Sequence, residues 1–384
     1  MANPGFGLIG TGFMGRAHAI ALRSVATVFP DIAAPRLVCV ADQAEPQAAA
    51  AARALQFERG TGDWRTLLDD PAVDVIDICT PNHLHYPMAR AALEAGKHVY
   101  CEKPLALDDD EASELAALAA ASGVVHAVGL NYPTNPLLRT ARELLASGEL
   151  GEPVHFPGRY FEDYRADPAV PDSWRCERAL AGSGALADLG SHLINLLHFL
   201  LGMPRRVLGE TLTVVPARRD PATGAVRRVE NEDIARAFME LENGLPASIE
   251  VSRVATGYKC HLSFDVFCSR GSLAFDQERM NELRLYEANQ APGKAGYKTL
   301  LAGPQHPDYA GFCPAPGHGL GINDLKVMEL RNLIRALAGD APFQPDFAEG
   351  ARVQRVMTAI ERSGTAGGWI DVDLRAAAPA GNEE

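Results

Sequence analysis

Apolar residues in the first third of the chain come in two textures. Short continuous runs at 6–9, 37–41, 73–79, His98–Cys101 and 124–128 have the length and density of strands buried on both faces. Between them, apolar positions recur at helical spacing over 14–25, Glu45–Leu55, 86–95 and Asp109–Ser122. Strands alternating with helices predict an α/β fold with a doubly wound parallel sheet, whose ligands bind at the carboxyl ends of its strands. Near Gly129–Pro136 this pattern ends, so we expect a Rossmann-type domain at 1–130 and a second domain at 131–384.

The second part reads as α+β with a large, mostly antiparallel sheet. A strand is expected at 154–161, then an irregular stretch at 162–177. Gly182-Ser183-Gly184 leads into a helix at 186–201 closed by Gly202, with Leu186, Leu189, Leu193, Leu196, Leu197 and Leu200 as its apolar stripe. Strands at Ile234–Leu241 and 249–254 flank the hairpin signal Glu242-Asn243-Gly244, and His261–Cys268, 272–276 and 283–287 extend the sheet. An open sheet face of this kind predicts a homodimer or homotetramer. The proline- and glycine-rich segment 297–321, holding His306 and His318, is expected to cover the active site, with His318 a candidate pocket residue. Amphipathic helices at 323–338 and 347–363 and a short strand at 369–372 follow, and the residues after Arg375 are expected to fray.

At 384 residues the chain exceeds one ordinary core, which agrees with two domains. A formal charge of −13 without a lysine-arginine block argues against a nucleic-acid or anionic-membrane partner. Seven scattered cysteines with no C-x-x-C pair argue against a disulfide framework or a zinc knuckle, and the expected location is cytoplasmic.

The chemistry is concentrated at the strand ends. Gly10, Gly12 and Gly15 have the G-x-G-x-x-G spacing between a strand and a helix: a tight turn, a close approach to a pyrophosphate, and close helix packing. Asp42, ending the second strand, can accept from ribose hydroxyls and would repel the extra phosphate of NADP, so NAD is the favoured cofactor over NADP. Thr80-Pro81-Asn82-His83-Leu84-His85 ends the next strand and would line the same crevice. His83 and His85 lack a third ligand at metal-site spacing, and no metal is expected. Glu102-Lys103-Pro104 ends the fourth strand, where a lysine can stabilise a developing alkoxide.

Gly10-Thr11-Gly12-Phe13-Met14-Gly15, Thr80-Pro81-Asn82 with His85, and Glu102-Lys103-Pro104 at these mutual distances resemble the glucose-fructose oxidoreductase, inositol dehydrogenase and rhizopine-catabolism (Gfo/Idh/MocA) family of NAD(P)-dependent oxidoreductases. The resemblance implies a cofactor site made by Gly10, Gly12, Phe13, Met14, Gly15, Asp42, Thr80, Pro81, Asn82, His85, Glu102 and Lys103. It also implies that Lys103 is catalytic and that Lys103-Pro104 helps place the nicotinamide. Asn131-Tyr132-Pro133 departs from the family's commoner Asn-x-Arg, which makes Tyr132 a pocket wall rather than a cationic clamp.

Asp188 and His192 lie one helical turn apart, and a carboxylate so placed can orient a histidine for proton transfer. On spacing alone they could be an ordinary helix pair. Asp-x-x-x-His after a glycine-rich turn resembles the family's second active-site motif, which implies His192 as general base, Asp188 as its orienter and a substrate acceptor, and Lys103 as the partner of the alkoxide. Asn195 stands where the family often has aspartate. Tyr160, Asp163, Trp174 and Arg175, with Tyr132, are candidate sugar contacts, because rings stack on C–H faces while hydroxyls need donors and acceptors. The expected activity is oxidation of a ring secondary hydroxyl of a sugar, anhydrosugar or cyclitol. Segments 181–186 and 321–329 resemble the inositol and levoglucosan dehydrogenase branches. An NAD-using glycosidase of related fold would cleave without net reduction of its cofactor. A non-catalytic dinucleotide sensor would tolerate loss of Lys103 or His192.

Overall fold

A computed structural model describes residues 3–373, so the segment after Arg375 lies outside the described residues. The described residues form two compact units: 3–131 with Gly321–Gln354, and Tyr132–Leu320 with 355–373. The division expected at 131–384 is therefore discontinuous. Helix Ile322–Ala338 belongs to the first unit because its buried side, including Leu325, Met328, Leu330 and Leu333, packs on the first helix.

The first unit is a six-stranded parallel sheet in the order β3-β2-β1-β4-β5-β6. Its strands are β1 (Gly5–Ile9), β2 (Arg36–Ala41), β3 (Arg59–Thr61), β4 (Val75–Ile78), β5 (His98–Cys101) and β6 (His126–Val128). Helices α1 (Phe13–Val28), α2 (Glu45–Leu55), α3 (His85–Glu94) and α4 (Asp109–Ser122) connect them. Helix α4 has a local cause at each end. The Asp108 side chain accepts from Glu111 N at 2.9 Å to start α4, and Gly123 ends it at φ +70°. Strand order reverses between β1 and β4, so a crevice opens at the carboxyl ends of these strands, where the glycine turn and Thr80-Pro81-Asn82 sit.

The second unit holds a nine-stranded mixed sheet in the order β16-β15-β14-β13-β7-β12-β11-β8-β17 and a two-stranded ribbon, β9 (Ala217–Arg219) with β10 (Val226–Arg228). The sheet strands are β7 (Pro153–Phe161), β8 (Pro204–Leu212), β11 (Ile234–Leu241), β12 (Pro246–Ser252), β13 (His261–Cys268), β14 (Gly271–Asp276), β15 (Glu282–Glu287), β16 (Lys298–Leu301) and β17 (Ile370–Asp371). Every neighbouring pair is antiparallel except β7 with β12. All six leucines of the expected stripe are buried under this sheet, each contributing about 2 kcal/mol of hydrophobic stabilisation.

That helix is not uniform. Leu186–Gly190 is a π-helical turn, and regular α-helix runs only over Ser191–Leu201. Single π turns of this kind are found often at functional sites, and this one carries Asp188. The segment Arg178–Leu201 has the length and mean hydropathy of a membrane span, yet 78% of its most apolar window is buried within the protein, as in a core helix. The segment at 297–321 is anchored by Arg139 to Asp308 at 2.7 Å and by Asn281 to the Leu320 carbonyl at 2.9 Å.

Candidate functional site

The glycine turn of the first unit separates what the chain needs from what a ligand needs. Gly10 has φ +95°, and a Cβ there would lie 2.6 Å from the Cys79 carbonyl oxygen. At Gly15 a Cβ would lie 2.0 Å from the Gly10 carbonyl oxygen, so both glycines are demanded by the fold. Gly12 has nothing within 4 Å of such a Cβ, and nothing in the chain requires glycine there. The open space lies at the amino terminus of α1, where backbone N–H groups and the helix dipole favour a pyrophosphate. Beside it, the Thr11 hydroxyl donates to Asp42 Oδ2 and Gln43 N donates to Asp42 Oδ1 at 2.7 Å. Asp42 is thereby held half-buried at the end of β2 beside the glycine turn. Phe13 is 77% exposed and Met14 half-buried, and Thr80, Pro81 and Asn82 are half-buried at the end of β4.

Two residues expected at the cofactor do something else. Glu102 is buried: its Oε1 accepts from Lys326 Nζ at 2.6 Å and pairs with His18 Nε2 at 2.9 Å, while its Oε2 accepts from Lys103 N at 3.2 Å. It anchors the Lys103 turn from behind. His85 is also buried, with Nδ1 2.7 Å from the Pro104 carbonyl oxygen and Nε2 2.9 Å from that of Thr80. It ties the loop after β4 to the loop after β5, with both ring nitrogens turned to backbone oxygens. Burial pushes its pKa down, against the pull of those two carbonyls.

Behind the Lys103 turn lies a cluster that motif reading missed. His18 Nδ1 meets Asp77 Oδ1 at 2.8 Å, Lys326 Nζ meets Glu329 Oε2 at 2.9 Å, and the Tyr100 hydroxyl donates to Glu329 Oε2 at 2.5 Å. Burial alone would lower the His18 pKa, but Asp77 and Glu102 outweigh it and push the imidazole up to about 9. Burial alone would raise Glu102, and the Lys326 ammonium with His18 holds it well below the usual carboxylate range instead. Asp77, His18 and Cys79 bring metal-type donors within 4.8 Å of one another. Both His18 nitrogens nevertheless serve carboxylates, the arrangement of an ion-paired imidazolium. The available signal was Asp77 itself, since a carboxylate inside an apolar strand needs a buried partner.

In the second unit, Tyr132, Tyr160 and His192 come together as expected. The Tyr132 ring stands edge-on to His192 with centroids 4.8 Å apart, Tyr160 lies 6.2 Å from it, and the two phenol oxygens are 3.0 Å apart. Cys260 Sγ adds contacts at 3.7 and 3.4 Å to the same oxygens. His192 is 9% exposed among these rings.

Asp188 is met by a residue of the irregular stretch 162–177: the Tyr164 hydroxyl donates to Asp188 Oδ2 at 2.6 Å. Asp163, expected to face the substrate, turns the opposite way and accepts from Gly257 N at 3.0 Å and Lys259 Nζ at 2.6 Å. The chain turns here, with Ala166 N donating to the Asp163 carbonyl at 2.9 Å, and the two neighbouring side chains leave it toward different partners. Trp174 and Arg175 are half-buried and stacked on each other, with the guanidinium 4.3 Å from the ring centroid.

Their loop is fastened by buried arginines. Arg218 donates to the carbonyls of Arg165, Asp167 and Val170, Arg165 to that of Pro171 and to the Ser173 hydroxyl, and Arg253 to that of Arg175. Arg253 also pairs with Asp233 at 2.8 Å and Asn231 at 2.9 Å.

An open glycine turn at a strand-order reversal and an acidic residue at the end of β2 mark the first unit as the dinucleotide-binding unit of an NAD-binding oxidoreductase. Comparison with known proteins agrees. The family model described as "Oxidoreductase family, NAD-binding Rossmann fold" matches residues 5–130, and the GFO/IDH/MocA C-terminal domain matches 138–274. Levoglucosan dehydrogenase of Pseudarthrobacter phenanthrenivorans is 36% identical over 97% of this chain and 99% of its own length. A solved levoglucosan dehydrogenase in complex with NADH and L-sorbose aligns at TM-score 0.95 and 36% identity, covering 98% of this chain and all of that one. An inositol dehydrogenase homologue from Azotobacter vinelandii, complexed with NAD+, aligns at TM-score 0.83 and 26% identity, covering 96% and 97%. The chain belongs to the GFO/IDH/MocA family of oxidoreductases, and its cofactor is NAD.

Proposed function

We propose that this protein is an NAD-dependent dehydrogenase that oxidises a ring secondary hydroxyl of an anhydrosugar, or of a related sugar or cyclitol, to a ketone. The observation that carries the reading is His192, buried among Tyr132 and Tyr160 on the helix whose preceding π turn carries Asp188. Similarity to levoglucosan dehydrogenase over nearly the full length supports the anhydrosugar class. NAD, when bound, supplies the hydride acceptor. In this reading Gly12 admits its pyrophosphate and Asp42 takes its adenosine ribose. His192 accepts the hydroxyl proton, Asp188 orients the imidazole and steadies it once charged, and the Lys103 ammonium stabilises the developing alkoxide. The neutral phenols of Tyr132 and Tyr160 suit an uncharged polyol, with Trp174 and Arg175 as a half-buried ledge for it.

The reading extends to assembly and location. Phe238, 64% exposed, and Phe267 project from one face of the nine-stranded sheet, and that face supports a homodimer or homotetramer. Seven free thiols support a reducing, cytoplasmic setting. Lys103→Ala and His192→Ala test the chemistry: each should lower kcat at least ~100-fold, as for acid-base and electrostatic groups, with NAD binding retained in His192→Ala. A near-normal rate in either variant would remove that residue from the mechanism.

A further inference from the structure

From the 2.6 Å contact between the Tyr164 hydroxyl and Asp188 Oδ2, we infer that Tyr164 is a positioning residue for the reaction: it holds Asp188 ionised and aimed, and through Asp188 sets the pH at which His192 works. The inference rests on the role proposed above for Asp188 and His192. Asp188 sits in a π turn whose neighbours Leu186, Ala187, Leu189 and Gly190 are all buried, an environment that penalises a carboxylate's charge. A hydroxyl at 2.6 Å is in the range of charge-assisted O–H···O⁻ bonds, which favour the ionised form.

A phenol suits this task better than a cation would. An arginine paired to Asp188 would cancel the negative charge that steadies a protonated imidazole, whereas a neutral donor fixes the carboxylate and leaves the charge in place. Burial, reinforced by the Asp188 charge, pushes the Tyr164 pKa well above its ordinary value, so the hydroxyl stays a donor across the working range. The charged and titratable groups around the pair are Arg165, Arg175 and Arg253 beside Tyr164, Glu232 accepting from Leu186 N at 2.8 Å, and His192.

The position of Tyr164 is itself built. Glu162 N donates to the Ser252 carbonyl at 2.8 Å and Arg165 N to the Arg253 carbonyl at 3.0 Å, so Tyr164 lies between two backbone bonds to the chain leaving β12. The buried side chains of Arg165 and Arg218 secure the rest of the loop. Holding a phenol against a carboxylate gives this fastening a purpose.

The test is the pH dependence of kcat for the wild type, Tyr164→Phe and Asp188→Asn, measured as NADH formation on the best polyol found, with thermal unfolding in parallel. Tyr164→Phe keeps the ring and should unfold near the wild-type temperature. Its kcat at pH 7 should fall about tenfold as the imidazole loses its aim, and its acid limb should move down by about one pH unit as the charge that steadies the imidazolium weakens, with the NAD dissociation constant unchanged. A uniform loss with no movement of the limb, or a wild-type profile while Asp188→Asn is impaired, would overturn the inference alone. Wild-type turnover in Asp188→Asn would overturn the role of Asp188 and the inference with it.

Discussion

Beneath Lys103 the first unit gathers side chains that titrate, and beneath the loop of Tyr164 the second gathers arginines that do not. His18, Asp77, Glu102, Lys326 and Glu329 bond mainly to one another, whereas Arg165, Arg218 and Arg253 bond largely to backbone carbonyls. Both arrangements hold a turn that carries a side chain given a role in the proposed reaction. They differ in what they respond to. A guanidinium remains charged at any ordinary pH, so the second framework is insensitive to protons. The first contains an imidazole shifted into the assay range and a carboxylate whose charge depends on its neighbours.

Cutting the arginine framework should have the largest effect. Arg253 is 1% exposed and paired to the fully buried Asp233, so Arg253→Met leaves a buried carboxylate uncompensated. A loss of about 3–5 kcal/mol is expected in denaturant unfolding, equal at pH 6.5 and pH 9. The other cluster should behave in the opposite way. The folded-state pKa of His18 is raised from 6.5 to about 9, so its contribution to stability is fully present below pH 6.5 and lost as pH rises through 9. The wild type should lose about 3 kcal/mol across that window, and His18→Gln should flatten the dependence. An unfolding free energy constant from pH 6 to 9.5 would show that the imidazole is not charged in the fold.

A smaller contrast separates the glycines. Gly12→Ala should fold and melt like the wild type, because its Cβ meets nothing, yet weaken NAD binding about tenfold or more by titration. Gly15→Ala should instead fail in stability, since its Cβ would lie 2.0 Å from a carbonyl oxygen.

What could be read in the sequence follows the same physics. Period and punctuation revealed the parallel sheet, the six buried leucines and the Asp188–His192 helix, because these depend on neighbours along the chain. Strand β8 and the β9–β10 ribbon escaped, having mixed polar and apolar positions with no clean alternation. Helix Ile322–Ala338 was legible as a helix but not as part of the first unit. Lys326 and Glu329, three residues apart, look like a surface pair, and only Asp77 and Glu102 in distant strands reveal that they are buried. Asp163 and Tyr164 are adjacent and both suited to a polyol, and only the path of the loop decides which one meets Asp188. Long-range charge partners and the direction of a side chain in an irregular loop leave no periodic trace.

The most direct test of the function is a single assay: purified protein with NAD, offered levoglucosan, other anhydrosugars, aldoses, inositols and aryl glycosides, recording NADH absorbance and released aglycone together. The account predicts NADH accumulating with one polyol class, an anhydrosugar foremost, in step with formation of a ketone. Aglycone release with no net NADH, or binding of NAD with no turnover on any polyol, would contradict it.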